Sequence, residues 1–545
     1  MTMLANARGT DRKVHNAISR MSTGVSPFAL ALAWTDWGLH FWTSPDKQSH
    51  VIEHARDEVA QDKQFAGEEW QKWPFNFYAQ SHTAALKWWT EAVTHVPGVS
   101  RHDEDLLAFT VRQFFEAASP KNSPFTNPDV IKKTQESKGQ NFVKGYQNFL
   151  EDLHQKTSGA EPIGTENFIV GKDVATTPGK VVFKNRLIEL IQYTPTTKTV
   201  YAQPVLIVPA CIMKYYILDL SAQNSMVKYL VGQGHTVFMI SWENPGKKDS
   251  ETTLQDYVDL GVMAAINATS DIVQGASIHA AGYCIGGTLL SMAAATMARD
   301  DDERLASVTL LAAQTDFTEC GELGLFIDEA QIHSLYHVMA EKGYLEGPKM
   351  AGAFQLLHST DLLWSAAIKR YFMGEDSAMI DLMAWNADAT RLPHKMHTQY
   401  LHDLFLNNDL AEARYTVGGK PICLRDLRIP IFAVGTVTDH VAPWKSVYKI
   451  NRLASSDVTF VRTSGGHNAG IVSEPGHKRR YYQMTSRFAY QKYVDPDTWA
   501  ATAPKTDGSW WTAWSAWLAD QSGGGVVPPV SEALYDAPGE YVLER

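Results

Sequence analysis

The chain has 545 residues, 44% of them hydrophobic and 20% charged, with a formal net charge of -11. That length buries a large core and exceeds one ordinary domain, so two domains are expected. The acidic balance excludes a general affinity for nucleic acid or anionic membrane through bulk electrostatics, although a local basic patch is enough to hold an anionic ligand.

Met1–Met21 carries Arg8, Arg12, Lys13 and Arg20 among polar residues with no apolar core, so no secretory signal is read there. Phe28–Trp42 is apolar and aromatic but interrupted by Thr35, Asp36 and His40; it falls short of a membrane span and reads as a buried helix. A soluble, intracellular protein without a transmembrane segment is expected. From about residue 50 to 160, Trp70, Trp73, Phe77, Leu86, Trp88, Trp89, Leu106, Leu107, Phe109 and Phe114 recur at helical spacing. The prolines of Ser119–Pro124 break the pattern, and helix resumes from Val130 to Leu153. A mostly helical N-terminal domain, residues 1–175, is therefore predicted, closing in a polar link with Gly159, Gly164 and Gly171.

Near residue 180 the period changes. Val181–Phe183 and Leu187–Tyr193 read as a hairpin and Val205–Val208 as a buried strand; further strands follow at Thr236–Trp242, Ser277–Gly282, Val308–Leu311, Ile431–Gly435 and Val458–Val461. Strands alternating with helices imply a mostly parallel sheet covered on both faces. More than a hundred mostly helical residues separate the strands near 310 and 431, too many for one crossover. A catalytic α/β domain, 176–545, with a helical cap inserted at about 316–425 is the expected architecture. Cys211, Cys284, Cys320 and Cys423 are too widely spaced for a disulfide framework or a CxxC metal site, so reduced thiols are expected. Cys320 and Cys423 are assigned to packing.

Gly282-Tyr283-Cys284-Ile285-Gly286-Gly287 lies between a strand and a helix of small residues. It matches the nucleophile elbow of α/β-hydrolases with sulfur in place of the serine oxygen. Helix N-terminal amides there would favour a thiolate and an oxyanion. Alone, the pattern also suits a tight structural turn. The acid and the base that a triad needs follow in the right order, each after a strand: Asp439, then His467 in Gly465-Gly466-His467. Their 28-residue separation accommodates one crossover helix. His440 competes as base, but adjacent residues on a strand-end loop point apart and the glycines around His467 suit an exposed imidazole; His235 and His279 read as structural. A cysteine thioester keeps an acyl group about as activated as coenzyme A does, so sulfur favours acyl transfer from a thioester donor over hydrolysis.

Together with that elbow, the segments Lys214–Leu220, Gly234–Phe238 and Ser241-Trp242-x-Asn244-Pro245 are similar to motifs of one known family. So are Trp385-Asn386-x-Asp388-x-Thr390-x-x-Pro393, Asp439-His440-x-x-Pro443-Trp444, Ser464–His467 and Gly508–Trp511. From about residue 60 onward the chain resembles the polyhydroxyalkanoate synthases, most closely the single-subunit class I poly(3-hydroxybutyrate) polymerases.

The resemblance implies an α/β-hydrolase fold and polymerisation of (R)-3-hydroxyacyl-CoA, 3-hydroxybutyryl-CoA foremost, with release of CoA. It implies that Cys284 is acylated and that His467 activates it, while Asp439 either orients His467 or assists the substrate 3-hydroxyl. The Ile285 amide is the implied oxyanion donor, with a second from the loop at Cys211 and Ile212. Cys211, Ile212, Asp219 and Trp385 are the implied substrate-binding residues. No metal or prosthetic group is implied. The implied partners are a second copy of the chain, the polymer granule surface and granule-associated proteins, in the cytoplasm.

The family's Pro-Pro-Cys-Ile-Asn-Lys reads Pro209-Ala210-Cys211-Ile212-Met213-Lys214 here, so that Met213 stands where an asparagine is usual, and Glu243 stands where an arginine is. A thioesterase or polyester hydrolase on the same fold is the competing enzyme, and a non-catalytic granule protein the competing class. A granule-targeting role is the alternative for Phe28–Trp42, and a polymer-binding face the alternative to domain packing for the tryptophans at 510–517.

Overall fold

The computed structural model describes residues 26–54, 62–347, 364–376 and 378–545. The basic stretch Met1–Met21 and the middle of the expected cap, 348–363, lie outside the described residues. The chain forms two compact units: Met1–Ile163 with Met350–Ala378, and Gly164–Lys349 with Met379–Arg545.

The first unit is helical, with helices at Pro27–Trp42, Pro45–His54, Phe75–Val93, Arg101–Ala117, Pro128–Glu136 and Gln140–Ser158. Their starts follow from local chemistry. Ser100 Oγ accepts from the Asp103 amide at 3.1 Å, and Asn127 Oδ1 accepts from the Asp129 amide at 2.9 Å ahead of Pro128 in the first turn. The helix expected to run unbroken from Val130 to Leu153 is instead interrupted at Gly139, which stands at φ +82°. Pro27–Trp42 is a helix but not a buried one: Ala33 is its buried residue, whereas Leu32, Leu39 and Trp42 are 69%, 66% and 84% exposed.

The segment read as a single cap is divided. Asp152 accepts from Arg370 Nε at 2.8 Å and from the Tyr371 hydroxyl at 2.7 Å, and Asn141 Nδ2 donates to the Phe372 carbonyl at 2.7 Å. Gly145 lets the two backbones meet, since a Cβ there would fall 1.8 Å from the Tyr371 carbonyl oxygen. These contacts hold residues near 370 within the first unit.

The second unit is built on an eleven-stranded sheet. Its strands are β1 (Gly179–Lys184), β2 (Ile188–Tyr193), β3 (Val205–Val208), β4 (Val237–Trp242), β5 (Ile278–Tyr283) and β6 (Leu305–Leu311). They continue with β7 (Ile431–Thr436), β8 (Val458–Thr463), β9 (Tyr481–Arg487), β10 (Lys505–Asp507) and β11 (Tyr535–Asp536). The order across the sheet is β10-β9-β8-β7-β6-β5-β3-β4-β2-β1-β11. From β4 through β3, β5, β6 and β7 to β8 every pairing is parallel, and the strands on either flank are antiparallel. Strands buried on both faces in the parallel centre read as runs of Val, Ile, Leu and Phe, which is why these were legible in the sequence.

Parallel pairing brings the carboxyl ends of β5, β7 and β8 to one edge, and the elbow, Asp439 and His467 all follow those ends. Behind them lies the helix Trp510–Asp520. Trp510, Trp511 and Trp514 are at most 1% exposed, and their indoles donate to the Gly470 and Ile471 carbonyls and to Thr309 Oγ1 at 3.0, 2.8 and 3.0 Å. The cluster is packing, as expected.

Candidate active site

β5 ends at Tyr283, and Cys284 follows at φ +54°, ψ -130° as the cap of the helix Ile285–Arg299. Few side-chain-bearing residues adopt that conformation, and here the neighbours permit it by having no side chains. A Cβ on Gly282 would fall 2.4 Å from Gly287 Cα, one on Gly286 2.3 Å from the Val208 carbonyl oxygen, and one on Gly287 2.4 Å from Ala313 Cβ. The Cys284 amide donates to the Leu311 carbonyl at 2.9 Å, fixing the turn against β6. The Ile285 amide opens the helix and so has no carbonyl one turn back to accept from it.

Asp439 and His467 meet beside this thiol. Asp439 Oδ2 accepts from His467 Nδ1 at 2.9 Å and from Thr436 Oγ1 at 2.9 Å, and Oδ1 accepts from the amides of Val441 and Ala442 at 2.9 and 2.8 Å. The carboxylate is fully enclosed. Burial pushes its pKa up, but the His467 charge and hydrogen bond and the two amides outweigh this and hold it below the ordinary value. For His467, burial pulls the pKa down, and the charges of Asp439 and Cys284 with their hydrogen bonds raise it well above the ordinary value. With Nδ1 committed to Asp439, Nε2 is the nitrogen left to face the neighbouring Cys284 side chain. His440 adjoins Asp439, but the ring that the carboxylate holds is that of His467.

The loop after β3 runs alongside the elbow, because Gly286 packs against the Val208 and Pro209 carbonyls. Cys211 is 1% exposed; burial pushes its thiol pKa up, and the nearby charge of Cys284 adds to that. Ile212 is half-buried beside it. A clasp from the other side of the chain grips this loop. Trp385 Nε1 donates to the Lys214 carbonyl at 2.8 Å, Thr390 Oγ1 to the Cys211 carbonyl at 3.0 Å, and the Tyr216 hydroxyl to Asp388 Oδ2 at 2.9 Å. Trp385 is 2% exposed, so its polar atom serves the loop. Asp219 is 1% exposed, and its carboxylate accepts from Thr177 Oγ1 at 2.5 Å, Ser225 Oγ at 2.7 Å and the Thr177 amide at 3.3 Å. Burial raises its pKa to about 6 against those donors. Two of the four residues expected to bind substrate, Asp219 and Trp385, are thus engaged in holding loops.

Residues 61–230 match the family model for the N-terminus of poly-beta-hydroxybutyrate polymerase (PhaC), and residues 5–47 match that for the poly-beta-hydroxybutyrate polymerase N terminal region. Residues 203–474 match the alpha/beta hydrolase fold. The chain is 39% identical over 507 residues to the poly(3-hydroxyalkanoate) polymerase of Methylorubrum extorquens, a match covering 91% of this chain and 83% of that one. It is 38% identical to the corresponding polymerase subunit of Rhizobium etli, over 90% of this chain and 77% of that one. Against the subunit of Cupriavidus necator it is 35% identical, over 89% and 83%. The chain belongs to the poly(3-hydroxyalkanoate) polymerase family.

It is accordingly an enzyme of that polymerase family on an α/β-hydrolase fold. The departures from the polymerase pattern at Glu243 and Met213 are accommodated locally. Glu243 is 6% exposed and its carboxylate lies 2.8 Å from Lys248 Nζ, so the reversed charge has a partner; Met213 bridges to Ala389 within the clasp. Sequence reasoning missed Thr436 and the role of Tyr283. It also missed Tyr400, a half-buried residue opening the π-helix Tyr400–Leu406. The Tyr400 hydroxyl pKa is raised by burial and then by the charges of Cys284, Cys211 and Cys320. Tyr283 alone carried a signal, being inside the elbow motif. Among the described residues no helix is long and apolar enough to cross a membrane.

Proposed function

We propose that this enzyme polymerises (R)-3-hydroxyacyl-CoA, 3-hydroxybutyryl-CoA foremost, through a thioester on Cys284. The observation that carries the reading is the pairing of His467 with Asp439 beside Cys284 at one sheet edge in a chain of this family. The thiol proton passes to His467 Nε2, whose raised pKa holds it there, and the sulfur attacks the thioester carbonyl carbon. The charge that develops on the carbonyl oxygen is met by the Ile285 amide and by an amide of the Cys211–Ile212 loop. The bond from carbon to the CoA sulfur breaks, and CoA leaves with the proton from His467. A 3-hydroxyl then attacks the Cys284 thioester, giving its proton to His467, so that an ester bond replaces the carbon–sulfur bond.

Of the two roles open to Asp439, orienting His467 has the better support. One oxygen is held by two amides and the other faces Nδ1, which fixes the tautomer that presents Nε2 to sulfur. The parts of the expected cap that belong to the second unit, residues 316–347 and 379–425, would exclude water that otherwise diverts the acyl group to free acid. The same reading carries a homodimer working at the surface of cytoplasmic polymer granules.

The test is to incubate the protein and Cys284→Ala with (R)-3-hydroxybutyryl-CoA, follow free CoA with a thiol reagent and characterise the acyl product. Insoluble polyester made only by the intact cysteine is the expected result. Stoichiometric free hydroxy acid without polymer would make the protein a hydrolase instead.

A further inference from the structure

Lys214 is 3% exposed. An ammonium group that far from water persists only where oxygens replace its hydration shell. Those oxygens come from the C-terminal segment: Nζ donates to the Glu544 carbonyl at 2.6 Å and the Tyr541 carbonyl at 3.2 Å. Burial lowers the Lys214 pKa, and the carboxylates of Asp388 and Glu544 oppose that.

The segment is itself fixed at other points. Glu189 on β2, with 0% exposure, accepts from the amides of Glu540 and Tyr541 at 2.9 and 3.1 Å and from the Tyr535 hydroxyl. Lys184 Nζ lies 3.0 Å from the same carboxylate. Gly539, at φ +88°, makes this seat possible, since a Cβ there would fall 2.3 Å from Glu189 Oε2. After β4, the Asn244 amide donates to Glu544 Oε2 at 3.0 Å, and Arg391 Nη2 donates to the Arg545 carbonyl at 3.0 Å.

Residues 535–545 therefore form a strap anchored on β2, on the loop after β4 and on the clasp, and its grip on the loop after β3 is Lys214. That residue is three positions from Cys211, and its own carbonyl is held by Trp385 from the clasp. The loop is thus held between two fixed elements, and the amides of Cys211 and Ile212 lie in the held stretch.

We propose that Lys214 is a positioning residue that couples the 535–545 strap to the 211–214 loop and so sets the aim of the Cys211 and Ile212 amides toward the Cys284 acyl group. The inference rests on the proposed role of that loop as the second oxyanion donor. Such donors act only when held in place before charge develops, so a loop free on one side loses rate more than binding. An apolar residue at 214 would fill the space, but it would not tie the loop to two particular carbonyls.

The test uses two variants of the full chain, singly and combined. Lys214→Met keeps the stem and removes the charge, and Gly539→Val unseats the strap at Glu189, away from the loop. Hydrogen exchange over residues 209–218, melting temperature and CoA release from (R)-3-hydroxybutyryl-CoA are measured. Each variant is expected to speed exchange in 209–218 by about tenfold with β3 and β5 unaffected. Each is also expected to lower kcat about tenfold while KM stays within about twofold, and the double variant should be no slower than the slower single. Unchanged exchange in 209–218, additive losses in the double variant, or exchange raised throughout the unit overturns the coupling. If the wild-type chain releases no CoA, the polymerase reading falls, and exchange alone decides whether the strap holds the loop.

Discussion

The ring of Tyr283 stacks on the imidazole of His467, with centroids 5.5 Å apart and planes 29° from parallel, while its hydroxyl donates to Asn468 Oδ1 at 2.6 Å. The residue before the nucleophile thus holds the residue after the base, so the elbow and the histidine loop are positioned as one piece. Tyr283→Phe keeps the ring and loses the hydrogen bond, and should lower kcat by roughly threefold to tenfold, about 1 kcal/mol. Tyr283→Leu frees the imidazole face as well and should lose several times more. Steady-state CoA release checks both; equal rates in the two variants would mean that the ring contact does nothing.

Gly286 marks where the elbow tolerates no side chain, because the 2.3 Å approach of its missing Cβ is to the Val208 carbonyl oxygen, a backbone atom of a central strand. Neither partner can move aside as a flexible side chain would. Gly286→Ala should destabilise the protein by about 1–3 kcal/mol, the range for overpacking a core position. Urea unfolding measures this, and a loss under about 0.5 kcal/mol would show that the elbow can relax.

What the sequence made legible follows from the range of the interactions involved. The parallel strands announced themselves because burial on both faces demands continuous apolar residues, and the elbow because its glycines stand in one short run around Cys284, although Gly286 and Gly287 answer to Val208 and Ala313 elsewhere in the sheet. β9 was missed because Gln483, Thr485, Ser486 and Arg487 interrupt any apolar alternation in a strand that flanks the parallel centre. β10 and β11 have only three and two residues. The division of the expected cap was invisible for another reason: Arg370 meets Asp152 across 218 positions, and no local pattern encodes such a pairing. Asp219 and Trp385 carried motif signals that the resemblance tied to substrate binding, and only their hydrogen-bond partners show both holding loops.

If Asp219 serves the loop and not the substrate, its removal should affect folding and leave substrate affinity alone. Asp219→Ala strands three donors, the Thr177 amide, Thr177 Oγ1 and Ser225 Oγ, in a buried site. A loss on the order of 3 kcal/mol is expected in urea unfolding. KM for the acyl-CoA should stay within about twofold, measured below the melting point. A raised KM at unchanged stability would restore the substrate-binding role.

The pair Asp439 and His467 should leave its mark on stability as a function of pH. His467 has a raised folded-state pKa, so its contribution is complete below its unfolded value of about 6.5 and is lost as pH climbs through the folded value. Asp439 has a depressed one, so its contribution is complete above its unfolded value of about 3.9 and is lost as pH falls through the folded value. Both are fully present only between roughly pH 4 and 6.5. Asp439→Asn abolishes the charge attraction while keeping an oxygen for Nδ1, so its cost should be greatest inside that window and shrink toward pH 9. Urea unfolding of wild type and variant at pH 5.5 and pH 9 measures the difference, expected to be on the order of 1 kcal/mol or more larger at pH 5.5. Equal costs at the two pH values would mean that His467 is neutral in the folded protein, and the charged pair would have to be abandoned in favour of a neutral hydrogen bond.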